Sequence, residues 1–332
     1  MKNIIDAEAS PAAATVQALT VDEESAGQRL DNFLIRHLKG VPKTHVYRII
    51  RTGEVRVNKG RASAETRIQT GDVVRVPPVR VATPDAHAPV APGREFPLLM
   101  EDEHMLAINK PAGVAVHGGS GVSFGVIEQL RQARPGARML ELVHRLDRET
   151  SGVLLVAKKR SALTRLQDQF RDRETGKTYL ALVHGQWPSN KKVIDLPLQR
   201  YLLPDGVGEG ERRVRIAALT DPGAQRAITL VRVARLVGDF SLLEVTIKTG
   251  RTHQIRVHLA SQGYPIVGDD KYGDFSLNKR LAALGLKRMF LHAWRLQFIH
   301  PSLGKPQTLQ SDLPPELQQF VDHVQPPPPA PI

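Results

Sequence analysis

The sequence from residue 141 to residue 152 reads Glu141-Leu142-Val143-His144-Arg145-Leu146-Asp147-Arg148-Glu149-Thr150-Ser151-Gly152. This dense polar run stands directly before a short apolar run at 153–157, which is typical of a buried strand. Asp147 lies between two arginines, and nearby positive charge favours the ionised form of a carboxylate. An ionised carboxylate held in position is the group that attacks a sugar carbon. Composition alone, however, favours a simpler interpretation, a solvated turn or a surface ion pair.

The chain around this segment predicts a domain of mixed strands and helices. Strand patterns cover Met105–Asn109, Val153–Ala157, Thr178–His184, Ile228–Val233 and Leu242–Lys248. Helical patterns cover Gly125–Gln132, Ser161–Arg173 with Ser161 as the N-cap, and Thr252–Ser261. Strands outnumber helices and are unevenly spaced, so a strict alternation of the two is not predicted. The pattern indicates an α+β fold with a largely antiparallel mixed β-sheet flanked by helices.

A basic module precedes this domain. Residues 25–80 carry twelve Lys and Arg against four acids, whereas residues 1–24 carry one Lys against five acids. The module has patterns for two short helices, beginning near Gln28 and Thr44, and for a hairpin. We therefore divide the chain into a disordered leader (1–24), the basic module (25–80), a linker (81–95), a main domain (96–324) and a Pro-rich tail (325–332).

The composition restricts the classes of partner. The formal net charge is +12 and the pI is about 10.1, which favours a polyanion as partner. No run of apolar residues approaches the roughly 20 that a membrane-spanning helix needs. The chain has no cysteine, which excludes disulfides, thiolate metal sites and cysteine nucleophiles. We expect a cytoplasmic protein without membrane association.

Two further patterns fail as nucleotide or metal sites. The glycine-rich residues 118–121, followed by Gly125, lack the Lys-Ser/Thr of a P-loop, and Phe124 stands where a dinucleotide fingerprint needs its last glycine. A flexible loop is favoured there, with contact to an RNA backbone as the alternative. His253 and His258 are five apart on a predicted helix, so they face different directions. We expect neither a metal nor a cofactor.

Four motifs, in their order along the chain, resemble those of RluA-type pseudouridine synthases. The aspartate motif is His144-Arg145-Leu146-Asp147 followed by Thr150-Ser151-Gly152. The other three are Asn109-Lys110-Pro111-Ala112-Gly113, Lys177-Thr178-Tyr179-Leu180-Ala181 and Thr249-Gly250-Arg251-Thr252-His253-Gln254-Ile255-Arg256-Val257-His258. The basic module resembles an S4 domain, a small RNA-binding unit. The resemblance covers nearly the whole chain and is weakest in the leader, around residues 202–213 and in the tail.

The resemblance implies an isomerase that converts specific uridines of RNA to pseudouridine without a cofactor. Within the family, residues 39–43, 117–121 and 123–128 resemble a member that acts on large-subunit (23S) ribosomal RNA. That RNA, free or in an assembly intermediate, is therefore the expected partner. We expect the enzyme to be a monomer.

The resemblance also assigns three catalytic residues. Asp147 is the nucleophile or a nucleophile-like base, and it either attacks C1′ of the ribose or removes a proton from C2′ to give a glycal. Tyr179 stacks on the base and is a candidate for removing a proton late in the reaction; the alternative is a core tyrosine. Arg256 pairs with the aspartate, where a guanidinium fork can orient a carboxylate through two hydrogen bonds. Its alternative is a surface contact to phosphate.

Four further residues are expected at the RNA substrate. Arg145 matches the residue that helps to replace a uridine flipped out of its helix, and flipping is needed because a stacked base hides its glycosidic bond. His144 is assigned to substrate binding with it. Arg251 and His253 are expected to bind the backbone or to support the loop.

The residues alone leave two rival functions open. A non-catalytic RNA-binding or ribosome-assembly protein explains the charge, but not a domain that carries the aspartate, tyrosine and arginine motifs. A glycoside hydrolase would use Asp147 with Glu141 or Glu149 as the acid. A polysaccharide enzyme rarely needs a dedicated basic module, which counts against the second rival.

Overall fold

A computed structural model of the chain describes residues 15–23, 25–38, 40–79, 90–119, 124–203 and 211–323. The predicted tail and most of the predicted leader and linker lie outside these residues, as does part of the glycine-rich loop. The chain forms two compact units, Met1–Val90 and Ala91–Ile332. No helix in the described part is long and apolar enough to cross a membrane.

The described part of the first unit contains two helices and a small antiparallel sheet. Its elements are β1 (Gln17–Thr20), α1 (Leu30–His37), α2 (Lys43–Arg51), β2 (Arg56–Val57), β3 (Gly60–Arg61) and β4 (Val73–Val76), with the strand order β1-β4-β2-β3. The predicted helices and hairpin are present. The helices bury their apolar faces, for example Phe33 of α1 and Ile49 of α2, in one core shared with the sheet, as expected of amphipathic helices.

The second unit contains five helices and twelve strands among its described residues. These are β5 (Leu98–Glu101), β6 (Met105–Lys110), α3 (Val126–Ala133), β7 (Glu141–Leu142), β8 (Ser151–Ala157), α4 (Arg160–Arg171), β9 (Gly176–His184), β10 (Val193–Asp195), β11 (Leu198–Leu203), β12 (Glu211–Ile216), β13 (Ile228–Val237), β14 (Phe240–Ile247), α5 (Gln254–Ser261), α6 (Phe275–Ala283), β15 (Leu291–Ile299), β16 (Pro306–Gln310) and α7 (Pro315–His323).

One ten-stranded sheet organises this unit, with the order β10-β13-β14-β9-β15-β8-β6-β5. Strand β16 pairs with β15, strand β7 pairs with the far end of β8, and β11 and β12 form a separate ribbon. Neighbouring strands of the described sheet run antiparallel except β8 and β15, which are parallel. The predicted α+β class with a largely antiparallel mixed sheet is confirmed.

The centre of the sheet is buried on both faces. Leu154 and Val156 of β8 pack on one side with α3. Val153 and Leu155 pack on the other side with α4. Successive strand residues point to opposite faces, so this continuous apolar run requires a helix on each side. The entrance to β8 is therefore held rigidly from both faces.

Several sequence-based boundaries differ from the structure: for example, β13 extends to Val237 rather than Val233, and α5 begins at Gln254 rather than Thr252. One predicted cap, at the start of α4, also needs correction. That helix begins at Arg160 with Lys159 in the N-cap position and no side-chain cap, so the prediction of Ser161 as the N-cap is wrong. Strand β15, which lies between β8 and β9 at the centre of the sheet, was not predicted. Its sequence, Leu291–Ile299, interleaves apolar with charged and polar residues, and only its pairing partners place it at the centre.

Candidate active site

The loop that carries Asp147 leaves β7 beside the far end of β8 and runs back to the start of β8. Within it, the Thr150 amide donates to the carbonyl of Asp147 (3.1 Å) and closes a turn. The Arg148 carbonyl accepts from the Gly113 amide (3.0 Å) and from Lys110 Nζ (3.1 Å). The motif at residues 109–113 therefore supports the aspartate loop through these two hydrogen bonds.

Lys110 is the centre of that support. Its side chain is fully buried, and its Nζ donates to the carbonyls of Pro111, Val114 and Arg148. Burial lowers the pKa of Lys110 to about 7. A neutral amine has only two N–H groups, so the three acceptors match the ammonium form.

Gly152 allows the loop to enter the sheet. Its φ is +111°, and an added Cβ would lie 2.2 Å from the carbonyl oxygen of Ala293 on the parallel strand β15. No side chain fits at such a distance, and positive φ also favours glycine. The glycine that ends the Thr-Ser-Gly part of the motif is therefore required by the close approach of β15.

Asp147 lies between two cavities. The first, of about 530 Å³, is lined by residues of three motifs, including Arg145, Asp147, Tyr179 and Arg256. The second, of about 440 Å³, shares Asp147 and Arg256 and extends to residues 115–119. The volume of the first is in the range of small-ligand pockets. Among the residues that the structure describes, no three His, Asp or Glu side chains converge as a metal site.

Arg256 contacts three aspartates, of which the exposed Asp270 has its Oδ1 3.4 Å from Nη2. Arg256 is 3% exposed, which does not fit the alternative of a surface phosphate contact. Its Nε and Nη2 donate to the two carboxylate oxygens of Asp269, each at 2.7 Å. The remaining nitrogen, Nη1, lies 3.4 Å from Asp147 Oδ2. The guanidinium fork therefore grips Asp269, while Asp147 receives one longer contact; the expectation of two hydrogen bonds to Asp147 is wrong.

The charges of this buried group hold each other in the ionised state. Burial by itself would raise the pKa of Asp269, but the hydrogen bonds and charge of Arg256 outweigh it and hold that pKa below its usual range. Burial would likewise lower the pKa of Arg256, yet Asp269 and Asp147 raise it above the usual arginine value. The site therefore keeps a fixed cation beside Asp147 at any pH that the protein tolerates.

His253 also lies beside Asp147, with its Nε2 at 4.0 Å from Oδ2, the oxygen that Arg256 Nη1 approaches. Burial lowers the pKa of His253, and the Asp147 charge opposes this only in part, so the ring is neutral at neutral pH. The Tyr272 hydroxyl accepts from the Val214 amide (3.0 Å) and lies 2.8 Å from His253 Nδ1. The His253 ring is therefore held between the Tyr272 hydroxyl and Asp147.

Tyr179 lies on β9 in the wall of the first cavity and also packs against the apolar core. The position of Tyr179 is therefore compatible with the predicted role at the base and also with the alternative of a core tyrosine. Burial, followed by the negative charge of Asp147, raises the pKa of Tyr179. The hydroxyl is therefore a neutral phenol in the free enzyme.

The remaining predicted residues differ in exposure. Arg145 is exposed and borders both cavities. Arg251 lines the first cavity and donates from Nε to the Arg226 carbonyl at 3.3 Å. His144 stacks on Phe170 with ring centroids 4.6 Å apart and accepts from the Leu155 amide. Burial lowers its pKa to about 4, so His144 offers a neutral ring edge to the cavity.

The main residue that the sequence reasoning missed is Asp269. It is fully buried and also accepts from the amides of Lys271 and Tyr272. The signal was available, since residues 268–273 form a polar, glycine-flanked run directly after the apolar residues 265–267. At Gly273 an added Cβ would lie 2.2 Å from the Asp269 carbonyl oxygen, so the run can fold only with glycine there.

Two family models and a solved structure match this chain. The family model for RNA pseudouridylate synthase matches residues 104–261, and the S4 domain model matches residues 28–74. The solved structure of human RNA pseudouridylate synthase domain containing 4 is similar with a TM-score of 0.56 and 27% identity, covering 69% of this chain and 92% of that chain. With the close relatives described next, these matches show that the chain belongs to the RNA pseudouridine synthase family.

Individual relatives indicate which member of the family this chain resembles. The chain is 50% identical over 312 residues to ribosomal large subunit pseudouridine synthase C of Pasteurella multocida, covering 92% of this chain and 93% of the relative. It is also 50% identical over 306 residues to the protein of the same name from Escherichia coli, covering 90% and 92%. The predicted enzyme class and the resemblance to this member of the family are confirmed.

Proposed function

We propose that the enzyme isomerises specific uridines of large-subunit (23S) ribosomal RNA, with Asp147 as the catalytic nucleophile acting on a flipped-out uridine. The observation that carries this proposal is the convergence of Asp147, Tyr179 and Arg256 on one cavity. The names of the close relatives supply the class of RNA. An enzyme that acts on ribosomal RNA, free or in an assembly intermediate, would function in the cytoplasm.

The reaction needs an anion at the ribose and no net transfer of atoms. The Asp147 carboxylate attacks C1′, or takes a proton from C2′, and the bond from C1′ to N1 of uracil breaks. The released base rotates and bonds to C1′ through C5. Forming that bond breaks the bond between Asp147 and C1′; on the glycal route, C2′ instead regains its proton from Asp147. The proton on C5 is then lost, and N1 ends with a proton. Arg256 holds the carboxylate charge beside the sugar, and positioning of this kind lowers the barrier.

Arg145 and the basic cavity rim fit a flipped nucleotide. Extrusion leaves a gap in the RNA stack, and a planar guanidinium fills such a gap well. Arg145 is exposed at the border of both cavities, so it can leave the enzyme surface without breaking a core contact. Arg251, His253 and His144 would then contact the nucleotide or support the walls.

One experiment tests the proposal directly. The protein is incubated with a large-subunit ribosomal RNA fragment, and the product is examined for a nucleoside isomer of unchanged mass. A non-catalytic RNA-binding protein gives no isomer, and a glycoside hydrolase gives free base or cleaved sugar. Mapping pseudouridines in ribosomal RNA with and without the enzyme then identifies the target positions.

Tyr179→Phe is expected to leave RNA affinity within about twofold, because the ring that stacks on the base remains. If the hydroxyl takes part in moving the C5 proton, single-turnover isomerisation falls by about 10²-fold or more. The raised pKa of Tyr179 partly reflects the Asp147 charge, and that part disappears once Asp147 is bonded to the sugar. Rapid quenching should then trap RNA with a broken glycosidic bond. Near-normal turnover would leave Tyr179 as a stacking platform alone.

Arg51→Gln combined with Arg61→Gln is expected to weaken RNA binding through the first unit. Both side chains are exposed and line a cavity of that unit, and neutralising phosphates makes affinity salt-dependent. The slope of log affinity against log salt should fall by about 1.5. The isomerisation rate at saturating RNA should not change. An unaltered slope would contradict the assignment of RNA binding to this surface.

A further inference from the structure

Among the described residues, Lys177 is a buried cation that has a polar contact but no carboxylate partner. It is 8% exposed. Its Nζ donates to Thr175 Oγ1 at 3.1 Å and lies 5.5 Å from the centre of the Phe170 ring. Buried charges in proteins are normally paired with an opposite charge. Among the described residues, the charges close enough to affect Lys177 are positive.

Two further cations face Lys177. Burial lowers the pKa of Lys177, and the charges of Arg173 and Lys248 lower it further. All three side chains line the cavity that contains Asp147. Arg171, in the same wall, is compensated by an ion pair with Asp168 at 2.5 Å. Within the described chain, neither Arg173 nor Lys248 has such a partner. The positive charges of Arg173, Lys177 and Lys248 therefore repel one another, and a bound anion would relieve that repulsion.

Arg173 also has an unfavourable backbone conformation. It follows the end of α4, and its φ is +64°. Glycine is the residue usually found at this position after a helix, because a Cβ is strained there. Non-glycine residues in this region cluster at functional sites. The unfavourable φ of Arg173 therefore makes its side chain a candidate for a functional role.

We propose that Arg173, Lys177 and Lys248 bind one backbone phosphate of the RNA, adjacent to the nucleotide whose sugar lies at Asp147. This proposal rests on the proposed function, because that function places a nucleotide in the cavity. A nucleotide held there brings its phosphates into the cavity that all three cations line. A phosphodiester supplies the missing negative charge and the acceptors for Lys177 Nζ, and it fixes the register of the RNA on the enzyme.

The first test uses substitutions that separate binding from folding. Lys177→Met keeps a similar stem without the charge, and Arg173→Gly removes both the charge and the strain. Both variants should melt at the same temperature as the wild type or higher, yet bind a large-subunit ribosomal RNA fragment about tenfold more weakly. Their salt slopes should fall by about 0.7. Lys279→Met, an exposed lysine on α6, is the matched control and should change neither quantity.

The second test locates the phosphate. Single methylphosphonate linkages, which lack the negative charge, are placed in turn around the uridine. At one linkage, the wild type should lose about tenfold in affinity and Lys177→Met should lose nothing more. Additive losses at every linkage would overturn the proposal, as would lower melting temperatures with unchanged RNA affinity. Inorganic phosphate is the remaining probe: binding of it at Lys177 without any methylphosphonate effect would reject an RNA phosphate.

Both tests measure binding, so their outcome is independent of isomerisation. If the wild type binds the fragment with the expected phosphate effect but makes no isomer, the proposed function fails and the phosphate site stands. If the isomer forms and the effect is absent, the phosphate site fails and the function stands.

Discussion

Asp147→Asn is expected to reduce isomerisation of uridine on the order of 10⁴-fold or more, to the limit of detection. The amide has the shape of the carboxylate but neither its charge nor its nucleophilicity. The fold should persist because Asp147 is partly exposed and Arg256 keeps its two short hydrogen bonds to Asp269. RNA affinity should be retained or increase, since one negative charge leaves a site that binds a polyanion. Single-turnover isomerisation and RNA binding are measured on the same fragment.

Glu149→Gln is the matched control for that variant. Its carboxylate lies in the same loop and pairs with Arg148 at 3.0 Å, and it is one of the two acids that a glycoside hydrolase would need. Isomerisation should remain near the wild-type level. Activity of Asp147→Asn close to that of the wild type would remove Asp147 from the catalytic role, and equal losses in both variants would point to a mechanism with two carboxylates.

Arg256→Lys is expected to lower the isomerisation rate by about 10²-fold or more, although the positive charge is kept. One ammonium cannot hold both oxygens of Asp269 and reach Asp147 as well, and a carboxylate displaced by about 1 Å loses much of the benefit of orientation. The free energy of unfolding should also fall, by about 1–3 kcal/mol, because the buried Asp269 carboxylate loses a hydrogen-bond donor. Full activity in this variant would show that Asp147 does not need Arg256.

Asp269→Asn tests whether Asp269 positions Arg256. Loss of the carboxylate leaves a buried cation uncompensated, so stability should fall by about 3–5 kcal/mol, and the rate at saturating RNA should fall while affinity changes little. The pKa of Asp269 is lowered, so the stability that the wild-type pair contributes is present at neutral pH and is lost only as the pH falls through that lowered value.

A double variant separates positioning from folding. Arg256→Met with Asp269→Leu replaces the buried pair by apolar groups, and such replacements are often neutral or stabilising. Part of the stability should return in urea unfolding while isomerisation stays lost. Recovery of activity together with stability would mean that the pair is structural.

The sequence by itself predicted several central strands and helices and named the candidate catalytic residues. Alternation or short apolar runs predict β6, β8 and β9, because successive residues of a strand face opposite sides of the sheet and each buried side requires apolar residues. The order of the motifs brings Asp147, Tyr179 and Arg256 together as candidates, because those motifs are short, local and dense in reactive side chains. The basic module is equally visible, since charge is counted from composition.

Tertiary structure alone decided which groups meet. Strand β15 joins β8 in parallel across about 140 residues of chain, with His292 opposite Ser151, and no local pattern specifies a pairing so distant. Arg256 could pair with any acid of the right reach, and the fold gives both short hydrogen bonds to Asp269 rather than to Asp147. The physical reason is that a guanidinium fork is satisfied by whichever carboxylate the packed backbone fixes opposite it. The grouping of Arg173, Lys177 and Lys248 in one cavity is likewise decided by tertiary structure. Whether a side chain is buried, and whether a described acid lies close to it, depends on how the chain packs.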